Sequence, residues 1–114
     1  MIDQVIPTIE RVTEEKLRKL FNEKYLPRIE AGEIQEKVRR GAERHPSLTL
    51  ANEPYCTRSQ EVSYIDPSTN QEVARAHRYL RPDGTLGASG KPDAKRVFFD
   101  GFLYRIITKK NRNQ

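Results

Sequence analysis

Apolar residues recur every three or four positions in the first half of the chain and at alternate positions in the second, which predicts helices first and strands afterwards. Thr13 ahead of Glu14 and Glu15 reads as a helix start, a hydroxyl cap with two carboxylates at the positive end of the dipole. Leu17, Leu20 and Phe21 follow at spacings of three and four, Glu14 with Arg18 and Glu15 with Lys19 pair four apart, and Pro27 is expected to stop the helix at about Leu26. Val5, Ile9 and Val12 share helical spacing too, with Pro7 requiring any helix there to begin near Ile6. A further helix is predicted over about 32–44. It would carry Ile34 and Val38 on its apolar face and pair Glu33 with Lys37 and Glu36 with Arg40. A connector then runs to Pro54.

Beyond Pro54 the texture becomes β-branched and aromatic, bounded by turn signals. One strand lies within 55–65, residues 66–70 reverse the chain, and 71–81 is the partner strand. Pro82, Asp83 and Gly84 make a second turn, 85–88 a short returning strand, and 89–94 a loop. Asp100 and Gly101 separate two apolar runs as the two-residue turn of a hairpin over 97–107. Residues 109–114 form a polar tail expected to be disordered, leaving 1–108 as a single domain. The fold class is α+β, with two or three N-terminal helices on one face of a C-terminal antiparallel sheet of about four strands.

The turn at 100–101 sets the hairpin register, placing Phe99 opposite Phe102, Phe98 opposite Leu103, Val97 opposite Tyr104 and Arg96 opposite Arg105. Val97, Phe99, Phe102, Tyr104 and Ile106 then share a face apolar enough to be the core side. Arg96 and Arg105 face each other on the opposite side, where two guanidiniums need solvent, a carboxylate or a bound anion. Alternation along 71–81 separates Ala74, Ala76, Arg78 and Leu80 from Val73, Arg75, His77 and Tyr79. The alanines suit a close helix, which would leave Arg75, His77 and Tyr79 on the open side with Glu72 on the alanine side; the opposite assignment would make His77 a hydrogen-bonded core residue, and the sequence does not choose between them.

Charge sharpens this picture. Residues 1–46 hold ten basic and nine acidic side chains, whereas 75–114 hold ten basic and three acidic, so the positive field belongs to the C-terminal half. Leu, Ile, Val and Phe number 26 of 114 residues, enough for a core, although a mean hydropathy of −0.84 leaves it a narrow margin. No apolar run reaches membrane-spanning length and no signal peptide is visible, so a cytoplasmic protein without membrane contact is expected. Cys56, the only cysteine, excludes an intramolecular disulfide and reads as a small half-buried apolar residue. His45 and His77 lack partners at ligand spacing, so neither a metal site nor a cofactor is expected. The segment from Gly84 to Lys91 fails as a phosphate loop, because five residues separate Gly84 from Gly90 and Pro92 follows Lys91.

Three functional readings result. The leading one is a nucleic-acid-binding domain, for RNA or DNA, that presents Arg75, His77, Tyr79, Lys91, Lys95, Arg96, Phe98 and Arg105. The second is a metal-independent ribonuclease in which His77 or Tyr79 moves protons while Arg75, Arg96 and Arg105 steady the phosphorane. In element order alone, helices followed by an antiparallel sheet, the chain resembles small bacterial ribonuclease toxins of the barnase and RelE type. The third is an adaptor or inhibitor that docks an acidic protein with the same arginines.

Overall fold

Strand pairing governs the fold far more than the helical spacing of the first half suggests. The computed structural model describes residues 6–44, 53–54 and 56–107, with the backbone alone for 40–44. In chain order the elements are β1 (Thr8–Val12), α1 (Glu14–Lys24), α2 (Leu26–Glu30), β2 (Gln35–Arg44), β3 (Arg58–Asp66), β4 (Gln71–Leu80), β5 (Asp93–Phe99) and β6 (Phe102–Ile106). Together the strands make one six-stranded sheet in the order β1-β6-β5-β4-β3-β2. Strands β2 to β6 form an antiparallel meander, and β1 joins β6 in parallel. The expected antiparallel sheet of about four strands under two or three helices is therefore corrected to a six-stranded mixed sheet with two described helices. The resemblance in element order to barnase and RelE type toxins falls with it, since a strand precedes the helices and joins the sheet in parallel, and the last expected helix is strand β2.

Each correction has a local cause. Residues 35–44 pair with β3 instead of forming a helix, because Ile34 and Val38 satisfy alternation as well as helical spacing and Val38 lies opposite the buried Val62. The charges that looked like helical pairs act across strands, Glu36 accepting from Arg78 at 2.8 Å and Glu61 facing Arg39 at 3.2 Å. Gly32, with φ of +77°, follows the last turn of α2 in the left-handed conformation that ends helices, instead of opening a new one. Pro27 sits in the first turn of α2, where its missing N–H costs nothing, so it begins a short helix after α1 has ended at Lys24. Residues 8–12 are strand, not helix: Val12 is buried while Ile9 and Arg11 face away, the period of two that a parallel edge on β6 demands. The expected strand over 85–88 is reduced to a single bridge between Leu80 and Leu86. The expected tail at 109–114, His45 and most of the connector lie outside the described residues.

Other expectations coincide with the structure. The Thr13 hydroxyl accepts from the Lys16 amide at 3.1 Å and caps α1. The final hairpin has the expected register from Phe99 opposite Phe102 to Arg96 opposite Arg105, with positive φ at both Asp100 and Gly101. Leu17 and Phe21 of α1 pack without solvent exposure over a sheet face carrying Val62, Tyr64, Ala74, Ala76, Ala94 and Val97. The Phe21 and Tyr64 rings stand 5.5 Å apart. The two alanines of β4 leave room for that approach, so the alanine side is the core side. Cys56 is exposed with φ of +74°, contrary to the half-buried reading, because it lies in the turn that precedes β3.

Candidate functional site

On the face turned away from both helices, register aligns arginines strand by strand. Arg11 on β1 pairs with Arg105 on β6, Arg105 with Arg96 on β5, and Arg96 with Arg75 on β4; the row continues to Ser63 on β3 and Lys37 on β2. Adjacent strands lie about 4.8 Å apart, so the four guanidiniums occupy a line about 14 Å long. Each alternates with a core residue on its own strand: Val12, Ile106, Val97 and Ala74 or Ala76. Burial of those neighbours therefore fixes the arginines outward.

Like charges in register repel by up to about 1 kcal/mol per pair, and the two halves of the row meet this differently. Glu72 lies among the inner pair. Its carboxylate accepts from Arg75 Nε at 2.9 Å, from Arg96 Nε at 3.0 Å and Nη2 at 2.6 Å, and from Ser63 Oγ at 2.9 Å. Strict alternation would send Glu72 to the helix side, but Tyr64 pairs with Ala74 while Ile65 pairs with Glu72, leaving Val73 as the extra residue of a bulge. Burial pushes the Glu72 carboxyl up, yet the hydrogen bonds from Arg75, Arg96 and Ser63 together with the Arg96 charge outweigh it and hold it below its ordinary range. Arg11 and Arg105 are exposed and meet no carboxylate among the described residues.

Of the residues predicted for the site, Arg75, Arg96 and Arg105 thus share one row. Phe98 stands on the same face one step nearer the hairpin turn. His77 lies one step the other way, between Glu61 on β3 and Asp93 on β5. Its Nε2 is 2.6 Å from Ser59 Oγ and its ring meets Tyr79 edge-on at 4.7 Å. Desolvation and the Lys95 charge lower its pKa against the opposing pull of Asp93 and Glu61, so it is neutral at pH 7 and adds no charge to the row. Lys95 occupies a second bulge, where Arg75 pairs with Arg96 but Ala76 with Ala94, and its ammonium holds Asp93 at 3.1 Å. Lys91 is separate from the row, lining with Arg18, His77, Tyr79 and Asp93 a depression of about 330 Å³.

Hydrogen bonds to Glu53 and Asp83 hold the start of the loop that leads to Lys91. Glu53 accepts from Arg81 Nε at 2.6 Å and from the Ala88 amide at 2.9 Å, and Asp83 accepts from the Thr85 amide and hydroxyl. Reading the sequence missed Arg11, which helical spacing concealed, although the alternation of Ile9 and Arg11 with Glu10 and Val12 was present. It missed Glu72 as well, because a bulge leaves no mark in the alternating pattern.

Among the described residues no three His, Cys, Asp or Glu side chains converge to hold a metal, and no helix is long and apolar enough to cross a membrane. No family model, curated protein or solved structure matches this chain, so no relative supplies a function.

Proposed function

We propose that this chain is a cytoplasmic nucleic-acid-binding domain whose open sheet face takes the phosphate backbone of RNA or DNA. The observation that carries the reading is the in-register row of Arg11, Arg105, Arg96 and Arg75, whose outer pair meets no carboxylate among the described residues. A repeating line of guanidiniums suits a repeating polyanion better than a single small ligand, since each phosphate accepts two parallel N–H bonds from one fork. Phosphates also relieve the repulsion that the row carries when empty. The ribonuclease reading draws less support, because Glu72 is held well ionised by three donors and His77 is committed to Ser59.

Titration with oligonucleotides at several salt concentrations tests the proposal. Four neutralised phosphates give a slope of log affinity against log salt of about −3. Arg11→Glu with Arg105→Glu should lower affinity more than tenfold and flatten that slope. Glu72→Gln should raise affinity several-fold by releasing Arg75 and Arg96 from their internal anion. Wild-type affinity in the double arginine variant would sink the proposal. Tight binding of an acidic polypeptide with none of nucleic acid would move the same row to the adaptor reading.

A further inference from the structure

The arginine row has two unlike flanks. Two residues toward the hairpin turn, the same face presents Ile9 opposite Leu103 and Leu103 opposite Phe98, an apolar strip in register across β1, β6 and β5. Ile9 is 51% exposed, and Leu103 and Phe98 are half-buried. Same-face residues along a strand lie about 6.7 Å apart, so the strip runs beside the arginines at that offset. On the other flank Glu61 and Asp93 sit on either side of His77, and both are ion-paired, Glu61 with Arg39 and Asp93 with Lys95 and Arg18. An anionic chain lying on the arginines therefore meets internally paired charges on the His77 side and apolar surface on the hairpin side.

We infer that the face selects single-stranded nucleic acid, with phosphates on the arginine row and bases laid over Ile9, Leu103 and Phe98. This rests on the nucleic-acid reading above and names the form of ligand. In a duplex the base faces are stacked on one another and the backbones stand outside, so a sheet face meets phosphates only and the apolar strip stays hydrated. A single strand turns its bases aside freely, and base faces cover aromatic and aliphatic surface with little regard to sequence. Phe98 supplies the one ring of the strip. Between it and the row lies a depression of about 110 Å³, lined by Glu72, Val73, Ala74, Arg96, Phe98 and Leu103, that places a carboxylate and a guanidinium within reach of a base edge.

The deciding experiment compares, by fluorescence anisotropy with the full chain, single strands of about twelve nucleotides, both uridylate and deoxythymidylate, with a blunt duplex of equal length. Single strands should bind at least tenfold tighter at the same salt. Phe98→Ala and Ile9→Ser should each weaken single-strand binding about fivefold or more, while duplex affinity and the salt slope stay as in the wild type. Ile9→Ser alters an exposed edge position and guards against misfolding of the Phe98 variant. Equal affinity for both forms, or unchanged single-strand binding in both variants while Arg11→Glu with Arg105→Glu still weakens it, overturns the strand selectivity and leaves the phosphate track standing. Binding of neither form removes both.

Discussion

Gly87 shows how one missing side chain organises a distant contact. A β-carbon there would stand 2.5 Å from Glu53 Oε1, inside van der Waals contact, and that carboxylate has little freedom to retreat because Arg81 and the Ala88 amide grip it and its side chain is only 6% exposed. Gly87→Ala should lower stability by about 1 to 3 kcal/mol in urea unfolding, with the loop 82–92 loosened; an unchanged midpoint would mean that Glu53 swings aside freely. The glycine-rich composition of that loop announced a turn region, but its hydrogen-bonded tie runs to Glu53, some thirty residues earlier and invisible to local pattern. Glu72 gives the same lesson inside a strand. Its type and its nearness to Arg75 were legible, whereas its side of the sheet turned on one unpaired residue, Val73.

Among elements, the contrast between the final hairpin and residues 32–44 is instructive. Asp100 and Gly101 supply two positive-φ positions between apolar runs, and that demand is local, so turn and register were both readable from the sequence. Residues 32–44 carry too few apolar positions to choose between periods of two and 3.6, and the free edge of β3 settled the matter by offering a ladder of backbone bonds. Gly32 was the available clue: a glycine after a short helix is more often its end than a beginning. Gly32→Ala forces a β-carbon into the left-handed region with open space around it, so the cost is conformational, about 1 kcal/mol in thermal unfolding. A neutral result would show that the turn readily adopts another conformation. The edge strand β1 escaped notice for a similar reason, since a five-residue strand leaves only two or three alternations to read.

For the molecule as a whole, stability should fall at both ends of the pH scale. Tyr64 is fully buried, and desolvation pushes its hydroxyl up to about 12. A folded pKa above the unfolded value keeps its contribution intact below pH 10 and loses it as pH rises from 10 toward 12, by roughly 2 to 3 kcal/mol. Glu72 and His77 lie below their ordinary values, so their contributions are present above about pH 4.5 and 6.5 respectively and disappear as pH falls. Melting temperatures across pH 3 to 12 check both limbs, and Tyr64→Phe should flatten the alkaline one; an alkaline fall unchanged in that variant would reject the assignment. Helix capping, the hairpin turn and the basic character of the C-terminal half follow from neighbours within a few positions, where sterics and hydrogen-bonding options act directly, whereas the choice of the Ala74 and Ala76 side as the buried one required α1 to pack there. Sheet order, the parallel edge, the bulge beneath Glu72 and the arginine row arise from pairing between residues far apart in the chain. Register adds those residues strand by strand, and no local window of the sequence contains them together.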